Sequence, residues 1–478
     1  MTPLPSRMIC AGCGWTAADD DPSPFRCPNS RTDDTDHVVA RALDFDELSW
    51  PSGSEQNPFV RYRELMRAYH VARARGMSDA DYVDLVERLD KEVAAVDGHG
   101  FVQTPFRPEE HLSRSLGFEP DGAVWVKDET GGVSGSHKAR HLFGLMIYLR
   151  VIQEVGLGRP NGEGPDLAIA SCGNAALAAA VVARAGGRRL RVFVPTWADD
   201  TVVDRLRSLG SVIEVCERTP GVAGDPTYHA LQKAIMAGAL PFTCQGNENG
   251  LAIEGGHTIG YEMVDELRRT GTTLDHVVVQ VGGGALGSAL ISGFMEARAL
   301  GAIGALPRFQ AVQTRGAYPL KRAYDLVAGR VMARLESDGK EGPDRPEDDE
   351  DRAEFIRAHA DMQGVADELA YAAHQRSQFM WPWEEEPVSI ANGILDDETY
   401  DWLGIVRGMI GTGGHPVVVE ESALERSNEL GRVTTRIDAD HTGTSGLAGL
   451  MELRDRGEVS AHERVAVLFT GVRRSGQE

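Results

Sequence analysis

The sequence predicts an α/β protein built on mostly parallel sheets, and three observations carry that expectation. From residue 166 onward, short apolar segments alternate with amphipathic stretches of helical length, the pattern of βαβ units. Glycine-bearing turns at 131–138, 171–174 and 282–287 stand at strand-to-helix junctions, where parallel sheets gather their ligand-binding loops. Finally, 478 residues with 42% hydrophobic content can bury a large core and suffice for two or more domains.

Taken in order, residues 1 to about 45 read as a small appended module. Cys10-Ala-Gly-Cys13 has the spacing of one zinc-ribbon knuckle, and Cys27-Pro28 resembles the start of a second. Ser30 stands where a fourth cysteine belongs, and His37 is the residue that would complete a Cys₃His set. Two readings stand side by side here, a structural zinc and a ribbon that has lost its metal. Residues 59–75 and 79–96 read as amphipathic helices and 124–126 as a buried strand. Later strands are expected over 167–170, 190–194, 212–215, 276–281, 416–419 and 465–469. Helices are expected over 175–185, 199–209, 226–237, 254–268, 285–299, 355–380 and 447–454, with a turn over 440–446. Residues 336–354 hold ten acidic and three basic side chains with two prolines, and so read as a solvated, mobile insertion.

The chemistry concentrates in the turns. Gly131-Gly132-Val133-Ser134-Gly135-Ser136-His137-Lys138 ends on a lysine just as a helical pattern begins, with Ser134 or Ser136 as the capping residue. A cation in the first helical turn is opposed by the macrodipole, which favours the neutral amine that attacks a carbonyl. Gly282, Gly283 and Gly284, followed by Ala285 and Leu286, follow a run of valines and open a helix. Consecutive N–H groups at such a turn form a nest for phosphate. The pattern is GGGxxG, without the later acidic residue of a dinucleotide site. Thr470-Gly471 places a hydroxyl at the end of the last strand. A phosphate nest, an amine nucleophile, Asn174 beside a glycine and a strand-end hydroxyl together suit pyridoxal 5′-phosphate.

These residues resemble the tryptophan synthase β/threonine synthase superfamily of pyridoxal-phosphate enzymes, fold type II, over roughly residues 100–310 and the C-terminal pieces. Ser136-His137-Lys138-Ala139-Arg140 is similar to the family's Ser-x-Lys-x-Arg, Ser171-Cys172-Gly173-Asn174 to its Ser-x-Gly-Asn, and 282–286 to its glycine loop. The resemblance implies that Lys138 bonds the cofactor's aldehyde, Asn174 its 3′-oxygen, residues 282–286 its phosphate and Thr470 its ring nitrogen. It implies that Ser136, Ser171, Cys172 and Gly173 contact the substrate. It further implies two open, mostly parallel twisted sheets with flanking helices, divided as a large domain (46–127 and 251–478, with an acidic insertion near 331–385) and a smaller mobile domain (128–250). A homodimer is the family precedent. The activity implied is elimination or replacement at Cβ or Cγ of an amino acid. His137 and Ala139, and Val472-Arg473-Arg474 after Thr-Gly, depart from threonine synthases. A threonine-synthase-like lyase is therefore ranked just ahead of a β-hydroxy or β-substituted amino-acid dehydratase or ammonia-lyase. A non-catalytic binding protein on the same fold is the outside alternative.

A net charge of −23 disfavours nucleic acid and anionic membranes as partners. The most apolar stretch, 167–182, is broken by Ser171, Gly173 and Asn174 and is no membrane span. A cytoplasmic protein with reduced thiols is expected. His257 and Cys172 are read first as packing residues, Arg140 as the partner of an acid in the insertion or on the helix face, and His137 as an orienting contact.

Overall fold

A computed structural model describes residues 4–158, 164–218 and 224–474. Strands β1 (Ser6–Cys10) and β2 (Val39–Leu43) pair antiparallel and form the base of the N-terminal module. The remaining strands are β3 (Phe106–Pro108), β4 (Ala123–Asp128), β5 (Leu167–Ala170), β6 (Leu190–Pro195), β7 (Val212–Cys216), β8 (Leu240–Pro241), β9 (His276–Gln280), β10 (Arg308–Thr314), β11 (Pro416–Val419) and β12 (Arg464–Phe469). They form a six-stranded sheet, ordered β11-β10-β9-β12-β4-β3, and a four-stranded sheet, ordered β7-β6-β5-β8. Every pair in these two sheets is parallel except β3 with β4.

The order β9-β12-β4 has a direct consequence. Three neighbouring parallel strands end side by side, and from their C-terminal ends emerge the triglycine turn, Thr470 and the Lys138 turn. Residues far apart in sequence thus share one sheet edge. Val277, Val278 and Val279 of β9, and Val465 to Phe469 of β12, are fully buried, as expected for strands covered on both faces.

Four local expectations are revised. The helix expected over 59–75 is three short pieces, Pro58–Arg61, Arg63–Leu65 and Arg67–Ala74, because Met66 is extended and the Arg67 N–H donates to Glu254 at 2.6 Å rather than to the preceding turn. The turn expected over 440–446 is the start of helix His441–Arg456, since Asp440 accepts from the Gly443 N–H at 2.5 Å. Ordered helix enters the acidic run, where Asp348 caps Asp349–Ala358 and Ala353 and Ile356 are buried. Strand β10 has no counterpart in the sequence reading, because Gln310 and Gln313 interrupt its apolar pattern.

Candidate active site

Helix Lys138–Glu154 starts at Lys138 itself. Neither serine caps it: Ser134 has φ 58°, His137 occupies the capping position without a side-chain bond, and the buried Ser134 and Ser136 hydroxyls have no partner among the described residues. The turn is held instead by the C-terminal segment. Val472 N–H donates to Gly135 C=O at 2.9 Å, and His137 N–H donates to Thr470 C=O at 3.2 Å. Gly135 has φ 69°, and a Cβ there would meet Val472, so glycine is required twice over. Burial, then the neighbouring Lys138 and His141, hold His137 well below its usual range, so the imidazole is neutral. Its Nε2 is buried and has no partner among the described residues.

The polarity of the Thr470 hydroxyl is fixed by Gln280, the last residue of β9. Gln280 Nε2 lies 2.8 Å from Thr470 Oγ1, 2.9 Å from Gly443 O, 3.1 Å from Thr442 O and 3.3 Å from Leu468 O. Three of these partners are carbonyls, which have no proton to give, so the amide nitrogen must face them. Thr470 Oγ1 therefore accepts from Gln280, and its own proton is left to point elsewhere.

The triglycine turn is packed by residues that follow the acidic insertion. Thr399 Oγ1 donates to Gly282 C=O at 2.9 Å, and Asp401 N–H donates to Gly283 C=O at 3.1 Å. A Cβ on Gly282 would collide with the Asp396 carboxylate, and one on Gly283 would lie 3.0 Å from the Tyr400 ring. The half-buried Asp396 also accepts from the Gly283 N–H. Burial pushes its carboxyl up to about 6, against the pull of Lys138 and that N–H. Burial and the nearby Asp36 raise Asp401 to about 7, against the Gly246 N–H and Lys138. Lys138 thus lies within electrostatic reach of two reluctantly ionised acids.

In the second sheet, β5 delivers the half-buried Ser171, Cys172 and Gly173 to helix Asn174–Ala185. Burial raises the Cys172 thiol above its usual value, which favours the protonated form. Asn174 meets the C-terminal segment: Arg474 donates to its Oδ1 at 3.0 Å and to Ser134 C=O at 2.6 Å. Ser134, Asn174 and the Thr470–Arg474 segment thereby form one cluster, and Lys138 begins the helix after it.

One expectation changes partner and one stands. Arg140 pairs with buried Glu129 (2.8 Å) and Glu262 (2.6 Å), rather than with an acid of the insertion, and Lys127 joins the same network at Glu262. His257 is a packing residue as read: Arg41 donates to its Nδ1 at 2.7 Å, with Glu296 and Tyr261 alongside. The residues that sequence reasoning missed are Gln280, Asp396, Asp401 and Arg474. Only Gln280 left a local signal, as the one polar residue ending a run of valines.

The fold and this edge define an α/β protein in which a lysine turn, a triglycine turn and a buried threonine hydroxyl follow three neighbouring parallel strands. The chain matches the family described as pyridoxal-phosphate dependent enzyme over residues 99–378, and it belongs to that family. It is similar to the threonine synthase of Methanocaldococcus jannaschii, 22% identical over 77% of this chain and 74% of the relative. The threonine synthase of Methanosarcina acetivorans is 25% identical over the same shares. Among solved structures, the processed form of threonine deaminase isoform 2 from Solanum lycopersicum shares the fold at TM-score 0.53 and 15% identity, covering 84% of this chain and 91% of that one. Diaminopropionate ammonia lyase from Escherichia coli does so at TM-score 0.54 and 16% identity, covering 82% and 88%. No helix among the described residues is long and apolar enough to cross a membrane.

The residues fit the family's cofactor. Buried Ser134, Ser136 and His137 atoms without a partner among the described residues line the lysine turn, and the triglycine turn leaves room for a carboxylate, that of Asp396, to reach the Gly283 N–H. With its carboxyl at about 6, Asp396 is mostly ionised at neutral pH and takes the Gly283 N–H itself, so a phosphate is received there once Asp396 binds a proton or turns aside.

Proposed function

We propose that this chain is a lyase that acts on an amino acid by elimination or replacement at Cβ or Cγ. Lys138 would hold the cofactor's aldehyde, the turn of Gly282, Gly283, Gly284, Ala285 and Leu286 its phosphate, Asn174 its 3′-oxygen and Thr470 its ring nitrogen. Bound there, pyridoxal phosphate withdraws electrons from the amino acid's Cα. The observation that carries the reading is the Gln280–Thr470 bond at 2.8 Å. With one lone pair held by Gln280, the hydroxyl keeps its proton free to donate to an unprotonated ring nitrogen, which would make a weaker electron sink and suit elimination over transamination. Lys138 supplies the amine that takes and returns the Cα proton. Neutral His137 beside it adds no charge that would compete for that proton. Ser136, Ser171, Cys172 and Gly173 are assigned to the substrate carboxylate.

Two substrate readings follow from two observations. Arg474 on Asn174 favours an anionic side chain, hence a threonine-synthase-like reaction on a phosphorylated homoserine. Asp396 and Asp401 beside Lys138 favour a neutral or cationic side chain, hence a dehydratase or ammonia-lyase. Incubating the cofactor-loaded protein with O-phosphohomoserine, threonine, serine and 2,3-diaminopropionate separates them. Phosphate release with threonine formation supports the first, and ammonia with a 2-oxo acid supports the second. Transamination products alone would refute both. A homodimer is part of the same proposal.

A further inference from the structure

The N-terminal module holds four side chains that the proposed reaction does not use. The sulfurs of Cys10, Cys13 and Cys27 and a ring nitrogen of His37 lie within 4.8 Å of one another. Cys10 Sγ is 3.5 Å from His37 Nδ1, and Cys13 Sγ is 3.6 Å from Cys27 Sγ. A tetrahedral zinc with ordinary Zn–S and Zn–N bonds needs ligand-to-ligand edges of about 3.5–3.8 Å. Three thiols and an imidazole, with no carboxylate among them, select zinc over magnesium or calcium. The imidazole is also oriented for the task. His37 Nε2 sits 2.9 Å from Asp33 Oδ1, so Nε2–H donates outward and the Nδ1 lone pair faces the thiols.

The loop that carries Asp33 and His37 is fastened to the acidic insertion. Asp36 N–H donates to Ala373 C=O at 2.7 Å, and Arg376 N–H donates to Asp34 C=O at 2.8 Å. Ser377 donates to the Asp34 carboxylate from its N–H at 3.0 Å and its hydroxyl at 2.8 Å. The Arg376 guanidinium pairs with Asp36 at 3.3 Å and also with Glu398. Glu398 lies between Asp396, which meets the Gly283 N–H, and Thr399 and Asp401, which bond the Gly282 and Gly283 carbonyls. An unbroken run of bonds therefore joins the cysteine module to the phosphate nest.

We propose that Cys10, Cys13, Cys27 and His37 bind one structural zinc ion, and that this ion stiffens the Asp34–Asp36 loop that clamps Arg376, Glu398 and the 396–401 segment onto the glycine turn. The ion contributes no chemistry; it sets the shape of a nest some distance away. The coupling rests on the cofactor reading above, whereas the metal site does not.

The test measures zinc content by elemental analysis and cofactor affinity by quenching of intrinsic fluorescence on the full chain. Protein from zinc-supplemented culture is expected to hold one zinc per chain, and stripping the zinc is expected to weaken pyridoxal phosphate binding about tenfold, within the ordinary range of coupled sites. Arg376→Met cuts the connection without touching a ligand, so it is expected to keep its zinc and show a similar loss. Substoichiometric zinc overturns the site. Unchanged affinity in both the stripped protein and Arg376→Met overturns the coupling. A zinc-loaded chain that binds no cofactor refutes the proposed function and the coupling together, while the metal count stands or falls by itself.

Discussion

Asp396→Asn is the substitution that most directly probes the nest. The Asp396 carboxyl sits against the Gly283 N–H beside the backbone that would hold the phosphate, and it is raised from 3.8 to about 6 chiefly by burial. A raised carboxyl pKa means that the folded state disfavours the ion. Below about pH 4 the acid is protonated in both folded and unfolded chains and costs nothing. Between about pH 4 and 6 the unfolded chain ionises first, so stability is lost as pH rises, and above about 6 the loss is constant. Each pKa unit is worth about 1.4 kcal/mol, which would give about 3 kcal/mol; the side chain is only half-buried, so solvent screening reduces this to about 1–2 kcal/mol. Asparagine keeps the acceptor for Gly283 and removes the charge. Urea denaturation of the cofactor-free protein should therefore show Asp396→Asn to be more stable by about 1–2 kcal/mol at about pH 8 and nearly equal to wild type at about pH 3. The same variant should bind pyridoxal phosphate more tightly at the higher pH. Parallel pH–stability curves for the two proteins would refute the reasoning.

Two further outcomes follow from buried groups. Glu262→Gln leaves Lys127 and Arg140 facing one remaining carboxylate, Glu129, in a site closed to water. Breaking such a network should cost about 3–5 kcal/mol, read as a lower urea midpoint with an unchanged slope. Gln280→Met removes the donor that occupies one lone pair of the Thr470 hydroxyl, so the bias towards donating to an unprotonated ring is weakened. The ¹⁵N resonance of ring-labelled cofactor should stay in the unprotonated range across neutral pH in wild type and titrate in the variant. Identical titration would remove Gln280 from the site's chemistry.

The strands and the lysine turn were legible because their information is local. Val277 to Val279 and Val465 to Phe469 are runs of apolar residues that a doubly covered strand requires. The glycines at 282–284 and at 135 are needed by backbone approach, so they stand out in the chain itself. Strand β10 was hidden because its glutamines are buried by hydrogen bonds: Gln310 accepts from the His415 N–H, and Gln313 accepts from the Leu320 N–H. Its polarity is satisfied by tertiary partners that no periodicity records. Asp396 and Arg474 were hidden for the same reason, since each acts on a turn more than a hundred residues away. The serines before Lys138 misled because a capping pattern was read where the C-terminal segment supplies the bonds instead.

The central claim is that Lys138 holds pyridoxal phosphate against the triglycine nest. Visible absorbance of the purified protein with added cofactor, wild type beside Lys138→Ala, tests it most directly. The expected result is a visible band of lysine-bound cofactor in wild type that is lost in Lys138→Ala, with further change when a substrate amino acid is added. A wild-type protein with no such band at saturating cofactor, or a variant that keeps it, would contradict the account.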